Sequence, residues 1–403
     1  MARLEELSTY SESPDSLTRV YLSPEQRAAG RRLIDWMEEA GMTAGFDAVG
    51  NVVGRYEGTE PDLPALLTGS HYDTVRNAGK YDGTLGVVLP IACVKALHDA
   101  GERFPFAIEV IAFAEEEGVR FNVTLVGSRA IAGTLPRSVL EHRDAGGVSL
   151  SDALHAFGLD PTRIGDAAHD RDRVLGFVEF HIEQGPILEQ ENLPIGIVTS
   201  IAGAKRYRVT VTGQAGHAGT VPMNQRRDAL AAAAEMVLAV ERICHDGEGL
   251  VGTVGQMNVP GAATNVIPGT AVFTIDVRAA RDAVRDAAMA AIIKALETVA
   301  ARRGVEVDIE EAHEESAADC APWLMSQLHE AIERAGIEPR YLMSGAGHDA
   351  MAVADLTDVL MLFVRCGGGG ISHNPAETMT EADADIAAAI LLDFFRHFRS
   401  QRR

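Results

Sequence analysis

Aromatic side chains are scarce in this 403-residue chain, at 5%, and basic ones are outnumbered, 36 Lys and Arg against 58 Asp and Glu. The resulting formal net charge of -22 repels phosphate backbones and anionic lipid, so nucleic-acid and membrane partners are not expected. Cys93, Cys244, Cys320 and Cys366 lie far apart and form no CxxC pair, which excludes a zinc ribbon and a thioredoxin motif and fits reduced thiols. No apolar run approaches the roughly 18 residues of a membrane span. The acidic N-terminal stretch lacks the basic start and apolar segment of a secretion signal, so a cytoplasmic protein is expected. There is no G-x-S-x-G elbow, and the run Cys366-Gly-Gly-Gly-Gly370 lacks the Lys-Ser/Thr of a phosphate loop.

What is present is an ordinary globular composition, long enough for two or three domains. Ser23-Pro24 reads as a helix start, with apolar residues at helical intervals up to Gly41. Apolar runs at 65–68, 107–113 and 176–181 read as strands, and 85–100 and 384–398 as helices. This alternation predicts an α/β sheet with helices on its faces. From 206 to 315 the order becomes strand (207–212), helix (228–244), strand (250–259), strand (271–278), helix (282–303), strand (305–310). That β-α-β-β-α-β order is ferredoxin-like and predicts an inserted α+β domain at 206–315, inside a first domain of 1–205 and 316–403.

Most of the 13 histidines sit in plain helical or polar contexts. His71, His181, His217, His348 and His373 instead stand at strand ends or in Gly-rich loops, where α/β sheets build sites. In Gly-Ser-His71-Tyr-Asp73 the spacing lets a carboxylate take the spare ring N–H of a metal-facing histidine. Asp82, in Tyr-Asp-Gly-Thr-Leu, can bridge two cations or simply cap a helix. Glu115, Glu116 and Glu117 end a buried strand and repel one another unless cations or protons intervene; a solvated acidic loop is the alternative. His and carboxylate side chains gathered at separate strand ends suit zinc or manganese.

Ten segments carry a resemblance: GSHYDTV, YDGTLGV, EEGVRF, GSRA, HIEQGPILE, GQAGHAGTVPMNQRRDAL, NVIPG, DVR, SGAGHDAM and ISHNPAE. In this order they resemble the M20 metallopeptidase clan, and within it the amidase, hydantoinase and carbamoylase branch. The resemblance implies a mixed-sheet zinc-peptidase-like catalytic domain with an inserted ferredoxin-like lid and dimerisation domain. It implies two divalent ions per chain, zinc or manganese with cobalt or nickel as substitutes, bridged by Asp82. His71 and His181 would complete one ion's ligands, and Glu117 and His373 the other's. Glu116 matches the general base and Asp73 the partner of His71; Glu115 is assigned no role. Gln184, His217, Asn265, Arg278 and Gly347 would contact substrate, with His217 also stabilising the oxyanion. His348 and Asp349 read as loop-fixing residues.

The implied reaction is hydrolysis of a ureido C–N bond in a small carboxylate, by a homodimer joined through the lid domain. The segment 10–24 and Arg365-Cys-Gly-Gly-Gly-Gly-Ile-Ser-His-Asn-Pro favour allantoate as substrate. Gly368 and Ala204, where such enzymes tend to carry Asn and Gln, keep N-carbamoyl-L-amino acids and β-ureidopropionate as alternatives. A non-catalytic binding protein on the same fold is the alternative from another class, and a dipeptidase or aminoacylase of the wider clan another enzyme.

Overall fold

The computed structural model describes residues 1–401 and divides into two compact units. The larger comprises Met1–Thr199, Cys320–Leu342 and Ala346 onward; the smaller is Ser200–Asp319 with Met343–Gly345. The smaller unit contains the expected span 206–315 and starts earlier because its first strand, Gly203–Thr212, begins before 206.

Four parallel strands form the middle of the larger unit's sheet, in the order Ala107–Phe113, Ala65–His71, Val174–Ile182, Val359–Val364. Val52–Tyr56 flanks them antiparallel on one side, followed by Thr43–Phe46, and Ile195–Ile201 flanks them on the other. The sheet is therefore mixed. Its central strands are nearly continuous apolar runs because side chains on both faces are buried. Pro24–Glu39 begins where Ser23 Oγ accepts the Gln26 N–H (3.1 Å), and it packs on Thr43–Phe46 and Val52–Tyr56. Thr84–Asp99 packs against Ala65–His71, and Glu381–His397 joins it and Pro322–Arg334 in the same apolar core. Four buried, unbridged cysteines fit the expected reduced state.

Parallel strands point their carboxyl ends the same way. His71, Glu115, His181 and the loop after Val364 therefore emerge along one edge of the sheet, where α/β folds place ligands.

The smaller unit has the strand order Glu306–Glu315, Gly203–Thr212, Thr270–Ala279, then Leu250–Thr253 and Met257–Asn258 side by side on the last. All pairs are antiparallel, as the ferredoxin-like order requires. The expected strand 250–259 is two short pieces separated at 254–256. Thr270–Ala279 alternates buried and half-buried residues along its length, so one face carries the core with Ala229–Asp246 and Asp282–Arg303. Among the described residues no helix is long and apolar enough to cross a membrane.

Candidate metal centre

Asp82 lies at the start of Thr84–Asp99, on a turn completed by Gly83 at φ 64°. A Cβ on Gly83 would stand 2.4 Å from the His71 ring, so only glycine lets this turn approach the histidine. Three histidines converge on the Asp82 carboxylate. His181 Nε2 is 3.3 Å and His71 Nε2 3.7 Å from Oδ1, and His373 Nε2 is 3.2 Å from Oδ2. His373 Nε2 also lies 3.5 Å from Glu117 Oε1.

Backbone carbonyls set the histidine tautomers. His71 Nδ1 donates to the Asp73 carbonyl (3.1 Å) and His181 Nδ1 to the Ile182 carbonyl (2.9 Å). In the neutral ring this leaves Nε2, which faces Asp82, as the acceptor, and the Gly83 N–H donates to that of His181 (3.2 Å). This is the state a metal-ligating histidine needs. In the metal-free chain burial opposes a proton there, but contacts with Asp73 and Asp82 raise His71, and contact with Asp82 raises His181, so an incoming ion displaces that proton. The Asp73 carboxylate is 3.5 Å from His71 Nδ1 and accepts the backbone N–H groups of Glu116 (3.1 Å) and Glu117 (3.2 Å). It thus ties the His71 loop to the acidic loop, and Arg19, buried and donating to the Tyr72 carbonyl (2.7 Å), props it from behind.

Electrostatics favour cations here. Burial pushes Glu116 and Glu115 well above the usual carboxylate range and Glu117 up to about 7, with neighbouring carboxylates adding to each. Burial would also raise Asp82, but contacts with His181, His373 and His71 outweigh it and hold that carboxyl well below its ordinary value. Contact with Asp82 in turn lifts His373 to about 9. Behind them Asp349 is raised by burial and by Glu179, and His348 is held well below its ordinary value by burial beside His181. Without metal, protons and histidines must offset this crowding.

Three donor sets come within 4.8 Å: His71, Asp82, His181; Asp82, Glu117, His373; and His71, Glu116, Glu117. The first two share Asp82, whose Oδ2 makes no hydrogen bond. The donors and their tautomers fit two divalent ions.

The remaining expected residues fall into two groups. In the larger unit, Gln184, at φ 54°, donates its amide to Asp82 Oδ1 and Ser372 Oγ, 3.1 Å each. A Cβ on Gly347 would lie 3.7 Å from Glu116 Oε1, which puts this backbone beside the acid. In the smaller unit, His217 pairs with Val266 in a short ladder, and the Asn265 carbonyl accepts the Ala218 N–H (2.9 Å), so His217 and Asn265 are brought together. Both are exposed. The Gly219 N–H donates to His217 Nδ1 (3.0 Å), leaving Nε2 as the proton-bearing nitrogen of the neutral ring. Arg278 stands on another strand, its guanidinium on Asp276 (2.8 and 3.1 Å) and the Gly345 carbonyl (2.8 Å).

Sequence reasoning did not single out Glu377, Ser372, Arg19 or Arg226. Arg226 donates to the Val221 (3.1 Å) and Ala218 (2.6 Å) carbonyls and so clamps the His217 loop. The only signal for Glu377 and Ser372 was their place beside His373 in ISHNPAE; Arg19 and Arg226 gave none.

Comparison with known proteins agrees with this geometry. The profile of peptidase family M20/M25/M40 matches residues 67–397. A probable allantoate deiminase of Oryza sativa subsp. japonica is 42% identical, across 97% of this chain and 86% of that protein. An N-carbamoyl-L-amino acid amidohydrolase of Geobacillus stearothermophilus is 41% identical, across 96% and 95%. The crystal structure of a hydantoinase/carbamoylase family amidase from Burkholderia multivorans superposes with a TM-score of 0.91 at 36% identity, across 98% and 95%. With donor sets for two divalent ions at the ends of its parallel strands, the chain belongs to peptidase family M20/M25/M40, in its hydantoinase/carbamoylase branch, and is a metal-dependent hydrolase of non-peptide amide-type bonds.

Proposed function

We propose that the chain hydrolyses the ureido C–N bond of a small carboxylate, with allantoate as substrate and ureidoglycine, ammonia and CO2 as products. The observation that carries this reading is Asp82 shared between two donor sets, with the unshared acid Glu116 next to the ligand Glu117. His71, Asp82, His181, Glu117 and His373 would hold two divalent ions, which would supply Lewis acidity toward a carbonyl and a water. Glu116, raised by burial, takes the proton from the attacking water and returns it to the leaving nitrogen. His217 donates from Nε2 to the developing oxyanion, Arg278 and Asn265 hold the substrate carboxylate, and Gln184 and the Gly347 backbone contact the substrate.

A second reading is hydrolysis of N-carbamoyl-L-amino acids. The 41% likeness to an amidohydrolase of that name supports it almost as strongly as the 42% likeness supports allantoate. A homodimer through the smaller unit completes the proposal. Leu238 (62% exposed) and Val251 (51% exposed) lie on its helix Ala229–Asp246 and its short strand Leu250–Thr253, apolar surface that a partner would cover.

The test is a panel of allantoate, several N-carbamoyl-L-amino acids and dipeptides, offered to metal-loaded protein and to Glu116→Gln, with ammonia and free amine measured. Allantoate should turn over fastest, and Glu116→Gln should lose on the order of 100-fold or more while keeping its metal. Faster release from a carbamoyl amino acid selects the second reading. Cleavage of dipeptides alone, or full activity in Glu116→Gln, rejects the mechanism.

A further inference from the structure

Glu377 belongs to none of the donor sets, yet its carboxylate joins two of the three loops that supply the second of them, those of Asp82 and His373. Oε1 accepts the backbone N–H groups of Tyr81 (2.8 Å) and Asp82 (3.2 Å), and Oε2 accepts the Ser372 hydroxyl (2.7 Å). Ser372 directly precedes His373, and its Oγ also accepts from Gln184, whose amide donates to Asp82 Oδ1. The bonds close a ring: Glu377 to the Asp82 backbone, along that residue to its carboxylate, then through Gln184 and Ser372 back to Glu377. Two members of this neighbourhood, Gln184 and His373, hold left-handed backbone (φ 54° and 53°), a conformation that costs a non-glycine residue on the order of 1 kcal/mol or more unless its surroundings enforce it.

The chain makes room for this carboxylate. Gly79 lies on the approach to Asp82, and a Cβ there would stand 2.2 Å from Glu377 Oε1 and Cδ. Glu377 is 5% exposed, so its bonds are not traded freely with water.

We infer that Glu377 is a positioning residue that fixes Asp82 and His373 relative to each other, and thereby builds the Asp82–Glu117–His373 ion site. The inference rests on the two-ion reading of the centre. A carboxylate suits the task because it is acceptor-only and can take two N–H groups and a hydroxyl at once. The His71–Asp82–His181 set draws its two histidines from strands that Glu377 does not touch, so the two sites should respond differently.

The experiment titrates chelator-stripped protein with Co2+ alone, following visible absorbance and competition with a chromogenic chelator. The wild-type chain should take up two equivalents. Glu377→Ala should weaken one equivalent by roughly 10- to 100-fold, the usual effect of removing a group that orients ligands, and the other, which shares Asp82 but not His373, by clearly less. Gly79→Ala should reproduce that pattern although every polar side chain of the ring remains, because its methyl displaces the Glu377 carboxylate. Ser372→Ala should give a smaller change in the same equivalent. Two equivalents at wild-type affinity in both Glu377→Ala and Gly79→Ala would overturn the assignment. So would equal loss of both equivalents in all three variants, which would make Glu377 a general fold residue. A wild-type chain that binds two ions but cleaves no ureido compound would remove the proposed function and leave this assignment standing.

Discussion

The metal centre and the His217 loop are built in different ways. At the centre His71, His181 and Asp82 are 1–4% exposed; the two histidines are fixed by carbonyls of their own segments, and Asp82 by Glu377 and Gln184 from other loops. In the smaller unit His217 and Asn265 are exposed and held through a two-residue ladder, a backbone bond and the Arg226 clamp. Under the proposed function the difference follows from what each binds. Divalent ions demand a fixed constellation and repay its strain, so the carboxylates are crowded in advance. An organic substrate brings its own surface, and residues that grip it can stay solvated until it arrives.

The severest way to break this contrast is to remove its pivot. Asp82→Ala should lose both ions and with them all measurable turnover, because both main donor sets use that carboxylate. Elemental analysis of the reconstituted variant checks it, and one tightly held ion would show that the sites are independent. A smaller effect should come from the solvated region. His217→Ala should keep two ions and lose roughly 100- to 1000-fold in kcat, the usual result of deleting one oxyanion donor. Mixing it with Glu116→Gln and allowing subunits to exchange sharpens the point. Recovered activity would mean that His217 serves the partner's centre in a dimer, and no recovery would place it in its own chain's site.

The smallest effect is on stability. Glu117 is raised to about 7 by burial, so the folded chain holds a proton there that the unfolded chain has released above about 4.5. His373, raised to about 9 chiefly by its contact with Asp82, favours the folded state below about 6.5 and loses that advantage as pH climbs through 9. Both act in one direction: metal-free protein should melt a few degrees lower at pH 8.5 than at pH 5.5. Divalent metal at pH 8.5 should restore the difference by replacing the lost protons, as scanning calorimetry with and without metal would show.

The long apolar strands were legible in the sequence because burial on both faces leaves long apolar runs, as in Ala107–Phe113. Thr43–Phe46 and Val52–Tyr56 were not read. They are short, near the sheet edge and interrupted by Gly45 and Gly54, so neither period was visible. The 3-10 turns between 137 and 173 had no periodic signal at all. At the site, the residue types and the resemblance pointed to donors that the fold gathers around Asp82. Their supports stayed hidden because they are long-range: Glu377 reaches a backbone amide 295 positions earlier, and no local pattern encodes that meeting.

The order of the strands also sets a timetable for synthesis. His71, Asp82 and His181 all leave the ribosome within the first half of the chain, whereas His373 follows nearly two hundred residues later. At about 5–20 residues per second that interval is roughly 10–40 s. Throughout it a nascent chain has made, but not assembled, the three donors of one set while Glu117 waits for its histidine. Even the first set needs its strands in place, and Val359–Val364, which pairs with the strand carrying His181, is made long after that strand. Metal acquisition is therefore a late event in the life of this chain, and a truncation before residue 373 removes one ion site outright.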